Sequence, residues 1–440
     1  MAEMTGFSLE NIAIQARKAF LQLSSLDTEA KNQTLVKIAD ALDCCYEQIQ
    51  LANNKDLQYA GQLVKTGELS EALYKRLALT ESKFKEMVNG VRDLARLPDP
   101  VGQILMETEL DDGLILKKIS CPIGVIGVIF ESRPDVVVQI SSLAIKSANA
   151  VILKGGSEAI NTNVELVNII NRTLEATGLY PEGCINLIIT REDVKKMLEL
   201  DESIDLIIPR GSNAFVKYIQ DNTRIPVLGH SDGICHVYVD REANMPLAEK
   251  VCLDSKIDYP AACNAVETIL VHNEILDNFL PQMVETFNNK GVEVRVDAKI
   301  LEKVTLDKIK QATEEDWQTE YNDMVISIKG VESKEEAIEH INKYGSGHTD
   351  SIITVNKETA EYFMDHVDSA GVYWNASTRF ADGYRYGFGA EVGISTNKTH
   401  ARGPVGLEGL MIYKYKLYGN GHIVSEYSQG DRAFTHRRLR

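Results

Sequence analysis

The sequence has no Cys-x-x-Cys pair, no long apolar run and no excess of positive charge, and each absence removes a class of function. Its seven cysteines, Cys44, Cys45, Cys121, Cys184, Cys235, Cys252 and Cys263, are odd in number and irregularly spaced. They suggest neither a disulfide framework nor a zinc site, and free thiols fit a reducing compartment. His230, His236, His340, His348 and His400 show no metal-ligand spacing, so no metal site is expected and surface or supporting roles are assigned to most of them. No apolar stretch approaches the ~18 residues of a membrane-spanning helix. The first residues, MAEMTGFSLENIAIQARKAF, lack the apolar core of a signal peptide, and a cytoplasmic location is expected. With 64 Asp and Glu against 47 Lys and Arg, the net charge is −17, which disfavours nucleic acid and anionic membranes as partners. An anionic small substrate would need local Arg, Lys and backbone N–H groups. The two familiar nucleotide fingerprints, G-x-G-x-x-G and G-x-x-x-x-G-K-[ST], are also missing.

What is present reads as an α/β protein. A chain of 440 residues is too long for one simple core, so two or three domains are expected. Residues 8 to about 96 carry apolar residues at helical spacing, as in Leu35, Ile38, Leu42 and Tyr46, and Pro98 and Pro100 end the region. LMETEL and LILKKI, joined by Asp111-Asp112-Gly113, predict a β-hairpin projecting from the body. From Cys121 to about Asp240, the apolar runs VIGVIF, AVILK, INLII, DLIIP and ICHVYV alternate with helical segments, which predicts βαβ units and a parallel sheet. A second α/β stretch has the strands VETILVH, VEVRV, MVISIK, SIITV and GVYW. GLEGLMIYKYKLYG predicts an edge strand, and the basic tail DRAFTHRRLR is expected to fray.

Two strand-to-helix turns carry glycine, serine and a cation: Lys154-Gly155-Gly156-Ser157 and Pro209-Arg210-Gly211-Ser212. Backbone N–H groups and a helix dipole favour a phosphate at such places. Each turn alone also reads as an ordinary βα connection, but two in one sheet favour a dinucleotide. In Asp258-Tyr259-Pro260-Ala261-Ala262-Cys263-Asn264, small neighbours would let a carbonyl approach the sulfur, whose thiolate is the reactive form. A buried structural cysteine is the competing reading.

The segments CPIGVIGVIFESRPDV, ILKGGSEA, IPRGSNAFV, DYPAACNAVETILVH and VYWNASTRFADGYRYGFGAEVGISTNKTHARGPVGLEGL resemble the gamma-glutamyl phosphate reductase branch of the aldehyde dehydrogenase superfamily, in order, over about residues 8 to 415. The resemblance implies Cys263 as catalytic nucleophile. It implies Lys154 at the adenosine ribose or its 2′-phosphate, Gly155, Gly156, Arg210, Gly211 and Ser212 near the phosphates, and Glu320 on the nicotinamide ribose. It further implies NADPH as cofactor, L-glutamyl 5-phosphate as substrate, proline biosynthesis as pathway, transient contact with the glutamate 5-kinase that makes the substrate, and a homodimer or homotetramer.

Two departures from ordinary aldehyde dehydrogenases stand out. Ser132, in Phe130-Glu131-Ser132-Arg133-Pro134, takes the place of an oxyanion-binding Asn, and Arg133 adds a cation suited to an anionic substrate. Val227, in Pro226-Val227-Leu228-Gly229-His230, takes the place of the Glu that activates water for thioester hydrolysis. Asn375, Arg379 and Arg402 are further candidates for substrate binding, although either arginine could instead salt-bridge two domains. Glu131 and Glu391 are candidates for the substrate ammonium. The expected fold is aldehyde-dehydrogenase-like. It has a Rossmann-like cofactor domain (1–104 and 121–234), an α/β catalytic domain (235–405) and an oligomerisation flap (105–120 and 406–440).

Overall fold

The computed structural model describes residues 8–230, 232–303, 308–389 and 391–440. The chain forms two compact units, one of residues 1–228 with 405–440 and the other of residues 229–404. Residues 229–234, expected with the cofactor domain, group with the second unit.

The first unit opens with five helices, Leu9–Leu23, Thr28–Cys44, Tyr46–Thr66, Glu71–Leu77 and Glu81–Arg96. Their stripes of Leu35, Ile38, Leu42, Val88, Val91 and Leu94 are almost wholly buried, as amphipathic spacing requires. A four-stranded parallel sheet follows, in the spatial order Ile185–Ile188, Ala150–Lys154, Val125–Phe130, Leu206–Arg210. The chain steps outward from Val125–Phe130 in one direction, then returns to its other side. The junction between Val125–Phe130 and Leu206–Arg210 is therefore a switch point, where the carboxyl ends of neighbouring strands diverge and leave a crevice.

The hairpin is present as Ile104–Asp111 and Leu114–Pro122, with Gly113 at φ 74° closing the turn. It belongs to an antiparallel sheet whose edge strand is Met411–Tyr418, paired along Leu114–Pro122. The tail does not fray as expected. Arg437–Arg438 pairs with Thr108 and Glu109, Arg432 Nε donates to Asp111 at 2.8 Å, and the Leu439 N–H donates to the Glu107 carbonyl at 2.8 Å. Acidic residues on the hairpin hold basic residues of the tail, a complementarity that a local reading of the tail does not reveal.

The second unit is a seven-stranded, wholly parallel sheet. Its order is Ile309–Gln311, Glu293–Val296, Val325–Val331, Val266–His272, Cys235–Val239, Thr349–Ile353, Gly371–Trp374. Cys235–Val239, read from the sequence as closing the first alternating stretch, lies near the middle of this sheet. Its central strands are buried on both faces, although buried polar residues such as Glu267 and Asp350 interrupt their apolar runs.

Candidate active site

Cys263 lies in the second unit, on the loop between the helix Met245–Ile257 and the central strand Val266–His272, and is partly exposed. The loop is braced at both ends. At its start, Asp258 accepts from Arg379 Nε at 3.1 Å and from Arg385 at 3.3 Å. At its end, Asn264 Nδ2 donates to the Ala381 carbonyl at 2.9 Å. Within it, the Ala262 N–H donates to the Tyr259 carbonyl and the Ala265 N–H to the Ala262 carbonyl. Gly233 packs against its backbone, and the Cys235 thiol donates to the Cys263 carbonyl at 3.3 Å. Complete burial pushes the Cys235 thiol well above its ordinary range, so it remains a donor and not a second nucleophile.

Two histidines that sequence spacing set aside converge on this sulfur. One potential ligand atom from each of His230, Cys263 and His348 lies within 4.8 Å of the others. His230 Nδ1 is 2.8 Å from the Ile394 carbonyl, and because a carbonyl only accepts, Nδ1 carries the proton and Nε2 the lone pair. His348 is fully buried, with Nδ1 2.9 Å from Thr349 Oγ1 and 3.7 Å from Cys235 Sγ, and its Nε2 has no hydrogen-bond partner among the described residues. The two imidazoles meet edge to face at 4.9 Å. Both histidines thus lie beside Cys263: the fold assembles them from separate loops, which no local spacing rule detects.

A polar cavity of 290 Å³ in the same unit is lined by Asp232, Ile234, Gln318, Lys343, Ser346 and Thr396 among others. The segment carrying Glu320 is fixed through Asp316, which accepts from Arg295 at 2.5 Å, Tyr321 at 2.6 Å and the Thr313 N–H at 2.6 Å. Burial alone would raise the Asp316 carboxyl, but these donors together outweigh it and hold it at about 2. Beneath the sheet, Lys256 and Glu267 form a buried ion pair at 2.6 Å. Burial pushes Glu267 up to about 8 against the pull of Lys256, and pushes Lys256 down.

In the first unit, both glycine turns fall at the carboxyl ends of parallel strands, as the sequence requires. A β-carbon on Gly155 would stand 2.1 Å from Asn163 Nδ2, and one on Gly156 would stand 2.0 Å from Glu158 Oε1. The crevice beside them is lined by Gly155, Gly156, Ser157, Asn163, Ile188 and Ile189. Asn163 is buried there, its Oδ1 without a hydrogen-bond partner among the described residues. The helix Ile160–Thr177 is not free to receive an anion at its first N–H groups. Asp56 accepts from the Asn161 N–H at 3.1 Å, the Thr162 N–H at 2.8 Å and the Thr162 hydroxyl at 2.5 Å. At the switch point, Gly211 lies where a β-carbon would meet Glu131 Oε2 at 2.8 Å, and Ser212 opens the helix Asn213–Asp221. Lys154 is 8% exposed at the end of its strand.

The remaining candidates divide. Ser132 adopts φ 47°, and its N–H and hydroxyl both donate to Glu158 Oε1 at 2.7 Å, which commits its proton within the protein. Arg133 is partly exposed, 3.6 Å from Asp135. Asn375 uses its side chain on both backbone groups of Thr354. Arg379 pairs with Asp258, and Arg402 with Asp368 at 3.1 Å. Both pairs lie inside the second unit. Glu391 accepts from the Gly383 N–H at 2.7 Å.

A braced, partly exposed cysteine beside a central parallel strand, in a chain whose other unit carries paired glycine turns at a sheet switch point, defines a class of protein. Residues 2–314 and 300–394 match the model of the aldehyde dehydrogenase family, and the chain belongs to that family. Within it, the chain is similar to gamma-glutamyl phosphate reductases. It is 54% identical over 432 residues to that of Brachyspira hyodysenteriae, covering 98% of this chain and 100% of the relative. It is 54% identical over 435 residues to that of Methanosarcina mazei, covering 98% and 97%. The crystal structure of the Thermotoga maritima gamma-glutamyl phosphate reductase superposes with a TM-score of 0.90 at 42% identity, covering 95% of this chain and 100% of that one.

Proposed function

We propose that this chain reduces L-glutamyl 5-phosphate to L-glutamate 5-semialdehyde with NADPH, releasing phosphate, as a cytoplasmic homo-oligomer serving proline biosynthesis. The observation that carries the reading is Cys263, partly exposed on a loop braced at both ends, in a chain so similar to reductases of that name.

The residues of the first unit fit a dinucleotide. Gly155 and Gly156 form a cradle that a β-carbon would fill, and buried Asn163 offers an unpartnered Oδ1 to the adjoining crevice. Lys154, Arg210, Gly211 and Ser212 would hold its phosphates and ribose, and Glu320 the nicotinamide ribose. When bound, NADPH supplies the hydride that turns a thioester into a hemithioacetal.

The chain's own part centres on Cys263. Its thiolate attacks the acyl carbon, a C–S bond forms, and the bond from carbon to the phosphate oxygen breaks. Phosphate leaves as a stable anion, with little need for an acid. After reduction, the C–S bond breaks, the aldehyde is released and the thiolate returns. Val227, apolar where ordinary members carry a water-activating Glu, protects the thioester from hydrolysis. The test is phosphate-dependent reduction of NADP⁺ by glutamate 5-semialdehyde. Dependence on phosphate and loss of turnover in Cys263→Ala, with NADPH binding retained, are the expected results. Oxidation of the aldehyde without phosphate would favour an ordinary aldehyde dehydrogenase.

A further inference from the structure

We propose that His230, Cys263 and His348 form a binding site for a thiophilic divalent cation such as Zn²⁺, and that its occupation reversibly silences the nucleophile. A thiolate and two neutral imidazoles are a ligand set that zinc prefers, with an open fourth position for water. One ligand atom from each residue already lies within 4.8 Å of the others. A tetrahedral zinc ion sets its ligands about 3.5 Å apart, so closing the site takes side-chain movements of roughly an ångström.

The outer contacts are those of a ligating histidine. His230 donates through Nδ1 to the Ile394 carbonyl, which fixes the tautomer that leaves Nε2 to ligate. His348 is the independent sign of a ligand. It is fully buried, its Nδ1 is occupied by Thr349 and Cys235, and its Nε2 has no partner among the described residues. A buried imidazole nitrogen without a partner is unfavourable, and a cation held jointly with Cys263 satisfies it. Binding exchanges the thiol proton for the metal: an S–Zn bond forms, the S–H bond breaks and the proton passes to solvent, with no change of oxidation state.

The silencing rests on Cys263 being the nucleophile, whereas the binding does not. The test uses the full chain, freed of metal, titrated with Co²⁺ alone as a spectroscopic probe and with Zn²⁺ alone. One tight equivalent of Co²⁺ with thiolate-to-metal charge-transfer absorption is expected. That band should vanish in Cys263→Ser, and affinity should fall at least about tenfold in His230→Gln and in His348→Gln. Zn²⁺ should slow alkylation of Cys263 by iodoacetamide in the unaltered protein, a readout independent of how the variants fold. A charge-transfer band that survives Cys263→Ser, or a Cys263 alkylation rate indifferent to Zn²⁺, overturns the proposal. If Zn²⁺ binds and blocks alkylation but the metal-free chain lacks the reductase activity, the proposed function fails and the site stands.

Discussion

Gly233 approaches Cys263 so closely that a β-carbon at position 233 would stand 2.2 Å from the Cys263 carbonyl oxygen and 2.6 Å from its α-carbon. Both obstacles are backbone, so neither can swing aside. Gly233→Ala must push the cysteine loop away. A loss of about 1–3 kcal/mol in stability is expected from overpacking. A fall in kcat of about 10²-fold is expected from a displacement near 1 Å. Thermal unfolding and steady-state kinetics check the two together, and a variant with unaltered kcat would show that the contact does not position Cys263.

Lys154→Ala should weaken NADPH more than NADH. Lys154 ends its strand beside the Gly155–Gly156 cradle, where a 2′-phosphate could accept from its ammonium. Such a charge-assisted contact contributes about 1 kcal/mol or somewhat more, roughly five- to tenfold in Kd. Parallel fluorescence titrations with both cofactors measure it, and equal losses would remove Lys154 from the 2′-phosphate.

Lys256→Met should strand Glu267 in the core. Breaking one side of a buried pair typically removes about 3–5 kcal/mol, whereas replacing both partners by apolar groups is far milder. Lys256→Met combined with Glu267→Leu should therefore recover most of the loss. The single variant also has a pH signature. Burial raises Glu267 above its unfolded value, to about 8 even beside Lys256. The folded state therefore favours the protonated form: stability is fully present below the unfolded pKa and is lost as pH rises through the folded one. Without Lys256 the folded-state value rises further, so the deficit should widen above about pH 8, where the paired Glu267 ionises and the stranded one does not, read by urea unfolding. A deficit independent of pH would mean that Glu267 is not the stranded charge.

Val227→Glu should divert part of the flux to hydrolysis. A carboxylate acting through one water as a general base contributes about 10²- to 10⁴-fold. Glutamate released per NADPH consumed should rise, and rise further with pH, because a partly buried carboxyl ionises late. A ratio equal to that of the unaltered enzyme from about pH 6 to about pH 9 would count against the role given to Val227.

Much of this was legible in the sequence, for a physical reason. Strands buried on both faces are mostly apolar, so VIGVIF and AVILK announce themselves, while VETILVH does so despite the buried Glu267 within it. Turns needing close backbone approach must be glycine, which marks Gly155, Gly156 and Gly211. Cys263 stood out in the sequence by its small neighbours and its motif, and the structure places it partly exposed on its loop. His230 and His348 did not stand out, because three loops bring them to the sulfur and nothing in their spacing encodes the meeting. Asp56 was hidden likewise: it lies mid-helix, and only the packing shows it capping a helix some hundred residues later. The tail misled because two paired residues, Arg437 and Arg438, are too short a strand to leave a pattern, and their anchors are acidic side chains on the hairpin.

The wholly parallel sheet of the second unit has a consequence for how the chain is made. Parallel neighbours cannot be joined by a tight turn, so every pairing must close a long loop before its contacts repay the lost entropy. Assembly of this unit is therefore slow compared with the local helices that precede it. During that interval its thiols, Cys235, Cys252 and Cys263, stand unprotected, although the finished fold contains only free cysteines. Refolding from denaturant should accordingly depend on reductant, with yield falling under air as mispaired sulfurs trap the unfinished sheet.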